Sequence, residues 1–353
     1  MEFLLDYGLF LAKIVTVVVA IVALLVIAKS VGGRSGGAKG ELEITNLTEQ
    51  RKQTVEQLEH HLHDDAFIKA RDKAEKKAEK EKTKQREKEI KKASKDGELD
   101  SKREPHLFVL DFNGSIDAKE VASLREEVSA ILAVARDGDE VLVRLESGGG
   151  MVHAYGLASS QLDRIKAAKL PLTIAVDKVA ASGGYMMACI ADKIVSAPFA
   201  VVGSIGVIAQ LPNFNKLLKK NDIEFEQLTA GEYKRTLTMF GENTDKARDK
   251  FKQELEETHG LFKDFIRERR PALDLEKVAT GEHWFGTQAK ELGLVDEIKA
   301  SDDIVIEACK DKTVLSIHYV QKKKITDKLA GVAGEAADNV LLKLISRGQK
   351  PIV

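Results

Sequence analysis

The sequence has only two cysteines in 353 residues, Cys189 and Cys309, and neither stands in a Cys-x-x-Cys or Cys/His spacing. A disulfide framework and a structural zinc site are therefore excluded as organisers of the fold, and both cysteines read as small buried hydrophobes. An excess of charge of one sign is also missing. Charged residues make up 31% of the chain but cancel to a formal net charge of -1, so no global field draws it to nucleic acid. The 43% hydrophobic content supplies apolar material for one large domain or two modest ones.

Long hydrophobic runs are absent except for one. Residues 8–28, GLFLAKIVTVVVAIVALLVIA, are broken only by Lys13 and match the length of about twenty residues that crosses a bilayer. They predict a transmembrane helix, with Lys13 snorkelling to the headgroups. A cleaved signal peptide would carry positive charge before a shorter apolar run, whereas Glu2 and Asp6 precede this one. Lys29, Arg34 and Lys39 follow it, a basic flank that points to the cytoplasmic side. Residues 1–39 are thus an anchor and tether, ending in the flexible VGGRSGGAK.

Residues 40–104 form a charged helical or coiled-coil segment and linker. From Leu47 to Lys95 acids and bases interleave at spacings that allow i,i+4 pairs, as on a solvated helix; bases outnumber acids after Lys69, which allows contact with anionic headgroups. His60, His61 and His63 lie on this exposed polar stretch without the further pattern of a metal site. The stretch from Lys92 to Pro105 reads as linker.

After Pro105 short apolar strands alternate with amphipathic helices, the pattern of an α/β domain over 105–320. HLFVLDF, EVLVRLE and LPLTIAVD are the first strands, with helices near 118–136 and 151–168. KIVSAPFAVVGSIGVIAQ supplies a further pair, and the chain after Asp245 is largely helical. Residues 321–353 have apolar residues at helical spacing, predicting a C-terminal amphipathic helix.

Two glycine-rich turns follow neighbouring strands, Gly148-Gly149-Gly150 and Ser182-Gly183-Gly184. Carboxyl ends of strands are where an α/β sheet places its ligand site, and one N–H from each turn can form an oxyanion hole. Neither turn is a GxxxxGK[ST] phosphate loop or a GxGxxG dinucleotide fingerprint. Ser182, opening an apolar helix, is a candidate nucleophile. A serine needs a base, and His153 and His283 are poorly placed for it. A lysine serves only if its surroundings favour the neutral amine, and composition does not select one lysine among so many.

The run from Lys178 to Val207, KVAASGGYMMACIADKIVSAPFAVVGSIGV, with GEYKR some way downstream, resembles the signal peptide peptidase A family of serine peptidases (S49), and the N-terminal apolar and charged helices extend the resemblance over nearly the whole chain. The resemblance implies a ClpP/crotonase-type spiral of βαβ units. It makes Ser182 the nucleophile, Lys234 the general base, Ser204 the residue orienting that lysine, and Gly183 and Gly149 the oxyanion donors. Gly148 replaces the family's usual proline. It also implies a bacterial inner-membrane endopeptidase acting on membrane-associated peptides such as signal-peptide remnants or misfolded segments, without metal or cofactor. The partners are peptide or protein substrates, the bilayer, and further copies of the chain, with each dyad shared between subunits. For the side of the membrane the family favours the periplasm, against the basic flank. Two rival readings are a crotonase-like acyl-CoA enzyme, which would bind CoA and need neither Ser182 nor Lys234, and a catalytically idle membrane scaffold.

Overall fold

The computed structural model describes residues 40–96 and 103–321. The expected transmembrane segment at 8–28 and, apart from Gln321, the expected C-terminal helix lie outside the described residues. Among those described, no helix is long and apolar enough to cross a membrane.

Residues Leu42–Val320 form one compact unit. Its N-terminal part differs from the expectation of an all-helical segment: Glu41–Asn46 is a strand, β1, at the edge of the main sheet beside the last strand. Asn46 then caps helix α1 (Leu47–Leu62), its side chain accepting from the Glu49 N–H. The backbone breaks at His63, and Asp64 accepts from the Phe67 N–H to start α2 (Asp65–Asp96). That helix runs four residues further than Lys92, where the sequence suggested a linker.

The remaining elements are β2 (His106–Gly114), α3 (Val121–Val134), β3 (Glu140–Ser147), α4 (Val152–Ala167), β4 (Leu172–Val176), β5 (Val179–Ala181), α5 (Gly183–Ala188), β6 (Lys193–Ser196), β7 (Val201–Gly203), α6 (Asn215–Lys220), α7 (Asp245–Arg269), α8 (Leu275–Val278), β8 (His283–Phe285), α9 (Gly286–Glu291), β9 (Glu297–Ile298), α10 (Ser301–Ala308) and β10 (Thr313–Val320). Strands and helices alternate as expected up to α7, but after Asp245, where the sequence reads as largely helical, three strands interrupt the helices and β10 pairs with β2. The main path of the sheet is β1-β10-β2-β3-β4-β6-β9. The pairings from β10 to β9 are parallel, and β7 with β8 is antiparallel. This is a mixed α/β fold with a parallel-dominated sheet, which fits the ClpP-like expectation.

The apolar run of β2 follows from burial on both faces, which removes the polar alternation of a half-exposed strand. Phe108, Leu110 and Phe112 face one core with Leu124, Val128 and Ile131 of α3 and Leu162 and Ile165 of α4. Leu107 and Val109 face the other with Leu142, Ala175 and Val314, against which Leu47, Ile304 and Val305 pack. Each such side chain, fully buried, contributes about 1.5–3 kcal/mol relative to exposure. Cys189 lies inside the first core and burial pushes its thiol up to about 12, whereas Cys309 is only half-buried and accepts from Thr48 Oγ1.

The sheet divides at β3, and that division positions the site. The first part of β3 pairs with β4, but its last residue, Ser147, pairs with Ala180 of β5, which in turn pairs with β7. The short branch β5-β7-β8 thereby carries three strand ends to one place.

Behind the site, Asp296 joins β6 to the end of α7, accepting from the Ile194 N–H at 2.7 Å and from both terminal nitrogens of Arg270 at 2.7 and 3.0 Å. Burial opposes ionisation of Asp296, but the Arg270 and Ile194 hydrogen bonds outweigh it and hold the carboxyl below its ordinary 3.8. A carboxyl with a lowered folded pKa adds stability above its unfolded value and loses it as pH falls through the folded one. Asp296→Asn is therefore expected to destabilise the protein by about 1–2 kcal/mol at neutral pH, allowing for partial exposure of the pair. The deficit, read as the melting-temperature difference from wild type, should shrink below pH 3.8.

Candidate active site

The turn after β5 bends the chain from strand to helix within one residue. Ser182 sits there as the N-cap of α5 with φ 52° and ψ -118°, a conformation with positive φ that serine adopts only when its surroundings impose it. Its N–H donates to the Gly203 carbonyl at 2.8 Å and its carbonyl accepts from the Met186 N–H at 3.0 Å, so both sides of the residue are fixed. Tyr185 is fully buried in α5 and donates to the Leu294 carbonyl at 2.9 Å, which pins the helix from behind.

Ser204 is brought beside Ser182 by strand register. Ala181 is paired with Gly203, so each serine is the next residue after the same pair; Ser204 also has positive φ, 49°, and its N–H donates to the Glu282 carbonyl at 2.6 Å.

The first glycine turn closes over this point. Gly149 has φ +87°, and a Cβ there would fall 2.6 Å from the Gly183 nitrogen and 2.7 Å from Ser182 Cβ, so only glycine permits the approach. A Cβ on Gly150 would fall 2.0 Å from the Ile116 carbonyl oxygen, which accepts the Met151 N–H at 2.9 Å. The two turns that follow β3 and β5 therefore touch, as the oxyanion-hole reading requires.

The donors differ in one respect from expectation. The Gly149 N–H is already held by Ser147 Oγ at 3.1 Å. Among the described residues the Gly150 and Gly183 N–H groups donate to no protein acceptor. Both residues line a pocket of about 80 Å³ at Ser182, with Val152, Met186, Val207, Ile208 and Phe262 supplying apolar walls.

Lys234 is not in that pocket. It is exposed, in the irregular stretch between α6 and α7, and its recorded hydrogen bond is from its own N–H to the Gly231 carbonyl. The same stretch exposes large apolar side chains: Leu228 is 94% exposed, joined by Ile223, Phe225 and Phe240, and Leu217 of α6 and Ile208 at the pocket are exposed as well. His153 is also exposed and lies outside the pocket.

Sequence reasoning missed Tyr155 and Ser147. Both are buried, and their oxygens lie 2.5 Å apart directly beneath the two turns. A small, buried polar residue ending strand β3, followed in the next helix by an inward tyrosine, was the available signal.

Residues 2–162 match the N-terminal part of peptidase family S49, and residues 164–315 match peptidase family S49 itself. A probable protease SohB of Haemophilus influenzae is 52% identical over 341 residues, covering 96% of each chain. A probable protease SohB of Buchnera aphidicola from Acyrthosiphon pisum is 52% identical over 345 residues, covering 98% of each. A solved structure, a mutant of the 1510-N membrane-bound stomatin-specific protease, overlaps with TM-score 0.35 and 14% identity over 58% of this chain and 84% of that one.

Proposed function

The chain belongs to peptidase family S49, and from that premise we propose that it is a serine endopeptidase working through a Ser182–Lys234 dyad, tethered to the bacterial inner membrane by residues 8–28. The observation that carries the reading is the strained turn at Ser182, held between two touching glycine turns beside an apolar pocket. Strain of this kind costs about 1–3 kcal/mol and persists where function needs an exposed nucleophile.

Lys234 Nζ takes the proton as Ser182 Oγ adds to the peptide carbonyl carbon. The tetrahedral oxyanion is held by the Gly183 N–H and an N–H of the facing turn, expected to be that of Gly149. With the Gly149 N–H committed to Ser147, the Gly150 N–H is the free donor in the resting arrangement. Collapse breaks the C–N bond, and the amine leaves with the proton from Lys234. Water, deprotonated by the same lysine, then releases the acyl group and restores Ser182. Ser204 orients the lysine. The apolar walls suit apolar side chains of membrane-associated peptides, including signal-peptide remnants and misfolded segments.

The exposure of Lys234, on an excursion bearing large apolar side chains, supports a dyad completed between subunits: the excursion of one copy covers the Ser182 pocket of the next. A ring-like homo-oligomer of ClpP/crotonase-type spirals would bury those side chains.

A fluorophosphonate probe tests the nucleophile. The detergent-solubilised full chain should be labelled at Ser182, located by peptide mass, and Ser182→Ala should take up none. Wild type left unlabelled, or labelled elsewhere, contradicts the reading.

A further inference from the structure

Tyr155 touches both halves of the site without facing the pocket. Its ring underlies the second turn: a Cβ on Gly183 would fall 2.4 Å from Tyr155 Cγ, so the Gly183 backbone rests directly on the ring. Its hydroxyl reaches the first turn through one intermediary. The phenol donates to the Ser115 carbonyl at 2.9 Å, which leaves its oxygen to accept from Ser147 Oγ, and Ser147 Oγ in turn accepts the Gly149 N–H at 3.1 Å.

Each member of this chain of bonds is held. Tyr155 is 0% and Ser147 2% exposed, so water does not compete for their hydroxyls. Ser115 is tied by Glu120, which accepts from its N–H at 3.1 Å and its hydroxyl at 2.8 Å. Gly114 lets the loop pass: a Cβ there would fall 2.5 Å from the Tyr155 oxygen and 2.8 Å from Ser147 Oγ. Burial raises the Tyr155 phenol above its ordinary range, which favours the protonated, donating form.

We propose that Tyr155 and Ser147 are positioning residues that set the separation and tilt of the two glycine turns. With its N–H bound to Ser147, Gly149 is held so that the next amide, Gly150, stays free for the oxyanion, while the ring fixes Gly183 opposite. This rests on the reading of Ser182 as nucleophile. Oxyanion donors act only when aligned with the place where charge develops, so misplacement lowers kcat more than it weakens ground-state binding.

The test compares wild type, Tyr155→Phe, Ser147→Ala and the double variant as full-length protein. A quenched-fluorescent apolar peptide serves as substrate, and a peptide aldehyde, whose adduct with Ser182 carries an oxygen in the oxyanion position, as inhibitor. Each single variant is expected to lose about tenfold in kcat. KM should move by no more than about twofold, and aldehyde affinity should fall in step with kcat. The double variant should be no worse than the singles, because the two residues act as one unit. Unchanged kcat and aldehyde affinity in Ser147→Ala, which keeps the Tyr155 ring and its packing, overturns the proposal. So does a loss in either variant that follows melting temperature and moves KM and kcat alike. A wild type that neither hydrolyses the peptide nor takes the fluorophosphonate fails one step earlier, at the nucleophile; a labelled, active wild type with unaffected variants fails only here.

Discussion

Ser182→Ala is expected to lower hydrolysis of an apolar peptide by about ten-thousandfold or more, the scale seen when a covalent nucleophile is removed. Its melting temperature should barely change, because alanine keeps Cβ and therefore keeps the strain of φ 52°. Ser182→Gly should be equally inactive yet more stable. Glycine tolerates positive φ, so the substitution recovers part of the strain, about 1 kcal/mol net of glycine's larger entropy loss, or roughly 2–4 °C for a domain of this size. An inactive and stabilised glycine variant is the signature of strain kept for function. Retained activity in either variant would exclude Ser182 as nucleophile, and equal melting temperatures would remove the strain argument.

Lys234→Ala is expected to cost about a hundredfold to ten-thousandfold in kcat, the contribution of a positioned general base. The folding of the single chain should be indifferent to it, since Lys234 is exposed and its hydrogen bond in the chain is made by the backbone; surface substitutions of this type stay within about 0.5 kcal/mol. Full loss of activity without loss of stability is hard to explain for a solvated surface lysine and easy for a base delivered to a neighbour. An active Lys234→Ala protein would return the choice to the other lysines.

Several features were legible in the sequence for physical reasons. β2 showed as an apolar run because both faces are buried, β3 showed through its apolar Val141-Leu142-Val143 and Leu145, and the glycine turns showed because close approach of Gly149 to Gly183 and of Gly150 to Ile116 excludes any side chain. Ser182 was marked by its place between β5 and α5. Strand β1 was hidden because it is an edge strand with mostly exposed residues, so ELEITN lacks a buried pattern. The commitment of the Gly149 N–H to Ser147 was hidden too, because it depends on a tyrosine eight residues along and on another strand's loop. Lys234 had no local signal at all. Nothing in its surroundings within one chain sets it apart, and the family resemblance alone selected it.

The most direct measurement mixes two inactive proteins. Ser182→Ala supplies Lys234 without the nucleophile, and Lys234→Ala supplies Ser182 without the base. If each dyad joins two subunits, co-expressed or dissociated and reassembled mixtures should regain activity, to about a quarter of wild type for random assembly of equal amounts in a closed ring. Each protein alone should stay inactive at the same total concentration. Mixtures that assemble into the wild-type oligomer yet remain as inactive as their components would contradict the shared dyad.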